Sequence, residues 1–451
     1  MWSILNLLRN NPEKLKWALK KRGLSVELVD EAVKYDKLWR EALTKLNELR
    51  HKHNVVSREI AKLKGEAREG KIREAKVLLS EIEKQEVLVR KYAERRTEIL
   101  LSIPNIPHES VPIGESDEDN KPVRFWGKHK VWKEYLSQFK EQTKGFEVDY
   151  EIIAWKPIGH ADMLSHLGCG DTFKAAKVAG SRFYYLFDDL VWLDMALLAY
   201  ALDYMSKQGF RIVMPPYMMR REPYEGVVAL VDFEDAIYKV EGEDLYLIAT
   251  SEHPIAALHM NEMIDEAHLP LCYTGISPCF RKEAGAHGKD TKGVFRVHQF
   301  HKVEQFVFCM PEESWKWHEK LIMNAEELWK GLEIPYRIVN VCTGDLGVVA
   351  AKKYDLEAWM PAQGKYREMV SCSNCTDWQS YRLKIRYRKP TGERGYVHTL
   401  NSTAIASTRA ITAILENYQE EDGTIIIPKV LRQYLEAFEK APKEMIVPKR
   451  K

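Results

Sequence analysis

The sequence predicts an α+β protein: a long N-terminal antiparallel α-helical hairpin, a coiled-coil arm, followed by a domain built on an antiparallel sheet flanked by helices. Three observations carry that reading. Between Glu27 and Leu101 there is no proline, and the only glycines are Gly65 and Gly70. Apolar residues in that stretch recur at alternating steps of three and four, the spacing of a helix seam. Past a proline-rich break, short alternating segments mix with helices without regular βαβ spacing, which favours α+β over a parallel α/β fold.

Taken in order, Leu46, Leu49, His53, Val56, Ile60 and Leu63 form one seam, and Ile72, Ala75, Leu79, Ile82, Val89, Ala93 and Leu100 the next. Two amphipathic helices joined by a short turn at Gly65–Gly70 make an antiparallel pair. A helix of about 35 residues is roughly 50 Å long, more than the radius of a globular domain, so the hairpin is expected to protrude. Such a hairpin serves either as an interaction coiled coil or as a lever that touches a large ligand away from the main body. From Ser102 to Lys121, Pro104, Pro107, Pro112 and Gly114 precede an acidic run, Glu115 to Asp119. Prolines at that spacing forbid helix and favour a linker, which places domains at 1–114 and 115–451.

Beyond the linker, Leu190–Ser206 reads as a helix and Phe210–Met214 as a strand stopped by Pro215 and Pro216. Leu245–Ala249 and Leu271–Tyr273 are strand-like. Val294–Met310 alternates at period two over a length that calls for a hairpin or a very long strand. Pro311 opens a helix to about Leu332.

Composition sets outer limits. The 451 residues hold 68 Lys+Arg and 66 Asp+Glu, a formal net charge of +2, with 45% hydrophobic side chains. A disordered chain and a bulk polycation are excluded. Residues 1–110 carry 24 basic and 17 acidic side chains, compatible with a phosphate-bearing partner and equally with an ordinary solvated surface. Seven cysteines without framework spacing indicate reduced thiols and a cytoplasmic setting. The first ten residues lack the pattern of a secretion signal. The longest apolar stretch, Leu190–Leu202, is interrupted by Asp194 and is too short to span a bilayer, so no membrane association is expected.

Chemistry-bearing residues concentrate in the second domain. In a strand, Arg296, His298, Phe300, Lys302 and Glu304 share one face, with Phe295, Val297, Val303 and Val307 opposite. A cation, an aromatic plate and a carboxylate in order suit a ligand with a phosphate, a flat base and an amine or hydroxyl; a salt-bridged solvent face is the plainer alternative. His298 and His301 would point apart, which is poor metal-ligand geometry. Arg281 and Glu283, just upstream, are placed on one strand face, where a guanidinium can hold a carboxylate or phosphate bidentately. The 284–293 connection, with Gly285, Gly288, Lys289, Lys292 and Gly293, is a basic hairpin loop and not a Walker loop. Cys372 and Cys375 form a single Cys-x-x-Cys pair, weak evidence for zinc.

Four blocks in sequence order carry a resemblance. Phe210–Pro215 is similar to motif 1 of class II aminoacyl-tRNA synthetases. Phe280-Arg281-Lys282-Glu283, the loop and Phe295 through Glu304 resemble motif 2. His398 through Arg409 with Glu416-Asn417-Tyr418-Gln419 resembles motif 3. Thr250-Ser251-Glu252 resembles the serine-binding loop of one branch, the seryl-tRNA synthetase family in its ordinary, non-zinc form. The hairpin and Pro-rich linker resemble that family's tRNA-binding arm and hinge, so the likeness spans essentially the whole chain.

The resemblance implies an enzyme that activates L-serine with ATP and Mg²⁺ and transfers it to the 3′-terminal adenosine of tRNA(Ser). It leaves open whether tRNA(Sec) is also charged. It implies Arg281 as the catalytic group bridging serine carboxylate and α-phosphate. ATP would meet Arg281, Lys282, Glu283, Arg296, Val297, Phe300, Glu368, Met369, Val370, Ser371 and Arg409, with Glu368 and Ser371 also on the metal ion. Thr250, Ser251, Glu252, Arg281, Glu304, Asn401 and Thr403 would hold serine. No zinc is expected. A homodimer built through the motif 1 region is implied, with tRNA(Ser) contacted by the arm and the 284–293 loop.

Overall fold

Apolar spacing makes the N-terminal residues helical. Four helices follow in order among the described residues: α1 (Ser3–Asn10), α2 (Pro12–Lys21), α3 (Glu27–Ile60) and α4 (Glu66–Ser102). Asn11 caps α2 by accepting the Lys14 N–H at 3.1 Å, and Pro12 opens the first turn. α3 and α4 pair as the expected hairpin. Gly65 sits at φ +61° just before α4, a conformation that favours glycine. The computed structural model describes residues 3–229, 236–283, 290 and 292–448, and the chain divides into two compact units, Met1–Ile106 and Pro107–Lys451.

The hairpin departs from the sequence reading in its turn, which spans 61–65 with Leu63 past the end of α3 and Gly70 inside α4, and at one further seam position. Leu79 is 45% exposed, whereas Leu78 packs with Leu46, Leu49, Ile82 and Val89. Both leucines fit a three-or-four step from Ala75. The step through Leu78 continues to Ile82, then to buried Gln85, whose Nε2 donates to Ala42 O at 2.9 Å. A glutamine in the seam hid the true phase. At the base of the hairpin, buried Asp36 accepts from Arg9, Arg40 and Arg96 at 2.7–3.0 Å. Arg96 also lies 4.7 Å over the Trp39 ring.

The second unit is built on an eight-stranded sheet. Its strands are β1 (Lys121–Trp126), β2 (Arg211–Val213), β3 (Leu271–Phe280), β4 (Gln299–Cys309), β5 (Tyr336–Asn340), β6 (Lys352–Met360), β7 (Lys365–Thr376) and β8 (His398–Ala406). Spatial order is β1-β5-β6-β7-β8-β4-β3-β2. Every pair is antiparallel except β3 with β2 at the edge. Four helices matter for the site: α5 (Asp189–Lys207), α6 (Glu252–Ala256), α7 (Ser314–Gly331) and α8 (Ser407–Asn417). α5, α7 and α8 cover one face through Leu193, Leu197, Leu321, Trp329, Ile411 and Ile414, all fully buried in the main apolar core.

Several strand expectations need correction. The segment read as one long strand or hairpin over Val294–Met310 is a strand only from Gln299. Arg296 and His298 therefore precede it, and the shared-face argument holds from Phe300 onward. β3 runs ten residues to Phe280 and ends there, so Arg281 and Glu283 lie past the strand. Glu283 adopts φ +53°, which breaks any alternation. The Leu245–Ala249 strand is reduced to Tyr246–Leu247. Among the described residues no helix is long and apolar enough to cross a membrane.

Candidate active site

A cavity of about 510 Å³ opens on the sheet face away from α5, α7 and α8, and distant stretches of chain line it. Period two explains the contribution of β4. Phe300, Lys302 and Glu304 face the cavity, while Val303 and Val307 enter the main core. Phe306 and Phe308 carry the cavity-side row onward into a second apolar cluster under α6.

Two β-bulges supply what alternation alone could not. On β7, Leu356 pairs with Val370 and Glu357 with Glu368, leaving Met369 as the extra residue. In a regular strand Glu368 and Ser371, three apart, would point to opposite faces. The bulge turns both to the cavity, where Ser373 and Cys375 join them. On β8, Val303 pairs with Ile405 and Glu304 with Thr403, leaving Ala404 extra. Asn401, Thr403 and Ala406 consequently all line the cavity. Cys372 faces the core, its thiol 3.7 Å from His318 O, whereas Cys375, the extra residue of a further register shift against β8, lines the cavity.

Arg281 is set by main-chain bonds. Its N–H donates to His298 O at 2.9 Å, and its carbonyl lies 2.7 Å from His298 Nδ1. The guanidinium donates from Nε to Ala249 O at 3.3 Å and lies 5.2 Å over the Phe300 ring. At the far end of the cavity, Arg409 Nη1 donates to Glu368 O and Oε1, both at 3.0 Å, and its guanidinium lies 5.2 Å from the Phe295 ring.

The carboxylates differ in electrostatic setting. Burial, reinforced by Glu304, pushes Glu252 up to about 7 against the pull of Lys302. Asn401 and Gln379 both donate to Glu252 Oε1, at 3.0 and 3.2 Å. Glu304 is raised by burial, with Lys302 as the chief opposing influence. For Glu368, burial is outweighed by Arg409 and Lys353, which hold it well below the usual carboxylate range.

Of the residues singled out from the sequence, Thr250, Glu252, Arg281, Glu283, Phe300, Glu304, Glu368, Met369, Ser371, Asn401, Thr403 and Arg409 line this one cavity. Five others do not. Ser251 is fully buried, its Oγ donating to Gly275 O at 3.2 Å. The Val297 and Val370 side chains sit in the main core. Arg296 turns onto Glu283 at 3.1 Å and Asp290 at 3.5 Å. Lys282 is anchored through its N–H to Ala236 O at 2.9 Å. Residues 284–289 and 291 of the basic loop lie outside the described residues. Lys302, Lys353 and the Leu346–Ala350 segment also line the cavity and were given no role from sequence. For Lys302 the signal was present, since it lies between Phe300 and Glu304 on the row already read; Lys353 carried none.

An antiparallel sheet whose inner strands, with the segments that follow them, bring arginines, an aromatic plate and two acidic clusters into one cleft defines a class II aminoacyl-tRNA synthetase core. Residues 236–418 match the class II core domain of the tRNA synthetases for G, H, P, S and T, and residues 5–107 match the seryl-tRNA synthetase N-terminal domain. The serine--tRNA ligase of Archaeoglobus fulgidus is 62% identical over 450 residues, covering 99% of each chain. That of Staphylothermus marinus is 64% identical over 454 residues, covering 100% of this chain and 99% of its own. The crystal structure of seryl-tRNA synthetase from Pyrococcus horikoshii complexed with ATP superposes with a TM-score of 0.94 at 56% identity, covering 99% of both chains. The chain belongs to the seryl-tRNA synthetase family.

Proposed function

We propose that this chain is a serine--tRNA ligase that forms seryl-adenylate and pyrophosphate from L-serine and ATP, then passes serine to the 3′-terminal adenosine of tRNA(Ser). The observation that carries the reading is that Arg281, Phe300, Glu304 and Arg409, from three separate segments of the chain, line one cavity. Attack of a carboxylate on an α-phosphate requires two anions to meet. Arg281 is assigned to both, neutralising charge and fixing the approach. Phe300 stacks on adenine, Glu283 meets its amino edge, and Arg409 takes the opposite face and the terminal phosphate. The side chains of Val297 and Val370 are in the core, so their assigned part in ATP binding is confined to the main chain. Lys282, Met369 and, on the phosphate tail, Arg296 complete the nucleotide contacts.

Serine is assigned to the other end. Thr250 and Glu252 hold its ammonium, Glu252 using Oε2 because both amides converge on Oε1. Ser251 supports that loop from beneath through its bond to Gly275 O. Glu304 and Thr403 grip the hydroxyl, and Asn401 lines the wall. A site built to bond a hydroxyl rejects the analogue lacking it by about 10⁴–10⁵.

Glu368 and Ser371 fit a hard cation. Both bring oxygen to one wall, and Glu368 is held ionised. Among the described residues no three His, Cys, Asp or Glu side chains converge on one point, which suits a Mg²⁺ ion whose remaining ligands are phosphate and water. Such an ion supplies charge neutralisation when bound with ATP. Zinc is not part of the proposal: the Cys372 and Cys375 thiols point to opposite faces. The homodimer is supported by exposed apolar residues around motif 1, Val191, Met195, Ile212 and Met214, which are 40–72% exposed. The arm and the 284–293 loop are assigned to tRNA(Ser), and the setting is cytoplasmic. Amino-acid-dependent pyrophosphate exchange with serine, threonine, alanine and glycine tests the reading. Exchange with serine far above the others is expected; a different preferred amino acid, or none, overturns it.

A further inference from the structure

Lys302 lies midway along the cavity-facing row of β4, between Phe300 and Glu304. It is 6% exposed, and its ammonium is in ion-pair contact with Glu304 Oε2. Glu304 is 1% exposed, and the same oxygen accepts from Thr403 Oγ1 at 3.4 Å. Glu252, a second carboxylate at the same end, interacts with it unfavourably. Two carboxylates facing one buried space repel unless one takes a proton or a cation intervenes.

The other titratable groups around Glu304 are Arg281 beyond β3, Cys279 on β3, His253 on α6 and Cys372 on β7. Burial keeps both thiols protonated and His253 neutral. Arg281 is committed to the ligand carboxylate and phosphate. Among the described residues, Lys302 is the cation left to balance Glu304.

We infer that Lys302 is a positioning residue for amino-acid selection: its ammonium holds the Glu304 carboxylate ionised and in one orientation, so that this wall accepts a hydroxyl proton and offers none. The inference rests on the assignment of Glu304 to the substrate hydroxyl. An ionised carboxylate is an acceptor only, whereas a protonated one also donates. A ligand without a hydroxyl leaves the ionised group unmatched. Neutralising Lys302 lets burial and Glu252 protonate Glu304, and the demand for a hydroxyl relaxes.

The test is serine- and alanine-dependent pyrophosphate exchange by the full chain from about pH 6 to about pH 9, across which carboxyls raised by burial titrate, with thermal unfolding recorded for each variant. Lys302→Met is expected to raise the serine KM roughly 10- to 100-fold near neutral pH, the loss of a hydrogen bond to a charged group. The defect should shrink as pH rises and Glu304 ionises, while the ATP KM stays within about twofold. Lys302→Arg should keep a flat profile. A serine KM unchanged in Lys302→Met, or raised equally at every pH, overturns the inference; Lys302→Gln gives the same readout should the Met variant not fold. Glu304→Gln separates the two levels. Undiminished serine-over-alanine preference in Glu304→Gln overturns the Glu304 assignment and this inference with it. An impaired Glu304→Gln beside an unperturbed Lys302→Met overturns the role of Lys302 alone.

Discussion

Arg281 is held by its backbone to His298 and by its Nε to Ala249 O, so the side chain reaches the cavity already oriented. Such preorganisation matters because a cation that must reorganise at the moment of reaction stabilises developing charge less. Among the described residues lining the end of the cavity assigned to ATP, Arg409 and Lys353 are the other cations, and both lower the pKa of the Glu368 carboxyl. Arg281→Ala therefore removes a charge that no neighbour replaces. Serine-dependent pyrophosphate exchange is expected to fall by about 10²–10³ or more, with the unfolding midpoint within a few degrees of the parent because the backbone bonds persist. Near-normal exchange in a folded variant would refute the role. At this scale the sequence was readable wherever a side chain had to be a particular chemical type. It is silent where burial decides, as at Val297 and Val370, since a valine in a motif looks the same whether its side chain faces a ligand or the core.

The elements show why three-residue spacings were opaque. Met369 and Ala404 are ordinary apolar residues, yet each is the extra residue of a bulge that rotates the following side chains by half a turn. Nothing in a local pattern marks such a residue, because the bulge depends on the register of the partner strand. The hairpin was legible to within about one turn of helix for the opposite reason: its seam is a local periodicity, in which Gln85 disturbed the choice between Leu78 and Leu79, while the glycines alone set the turn a few residues too late. The base of the hairpin carries its own prediction. Burial alone would raise Asp36, but Arg9 and Arg96 outweigh it and hold the carboxyl below its ordinary value. A depressed folded pKa contributes stability that is complete above the ordinary carboxylate value of about 4 and is lost as pH falls through the lower folded one. Asp36→Asn is expected to lower N-terminal stability at neutral pH by on the order of 3 kcal/mol, since three arginines lose their buried partner. The gap between parent and variant should close below about pH 4. Chemical denaturation followed by helix circular dichroism at several pH values checks both; a gap of constant size would contradict the ion-pair account.

Across the whole molecule, the two compact units separate two tasks. Every residue lining the cavity comes from Pro107–Lys451, so adenylate formation asks nothing of the hairpin's side chains. The hairpin turn region instead presents Lys52, Arg58, Lys62, Lys64, Arg68 and Arg73, all exposed, a cationic end suited to a phosphate backbone. An interaction coiled coil would bury apolar residues there. Removing residues 46–89 and rejoining the helices by a short glycine turn leaves the Asp36 cluster and the Glu31–Arg95 pair in place. That shortened chain is expected to keep serine-dependent exchange within about twofold and to lose tRNA(Ser) charging by at least about a hundredfold, because the cationic end supplies affinity and position and no chemistry. Charging by the parent should weaken steeply as salt rises, each phosphate contact adding to the slope, whereas exchange should not. Equal survival of both activities after shortening would make the hairpin something other than a tRNA lever, and equal loss would mean that it is needed for the second unit to fold.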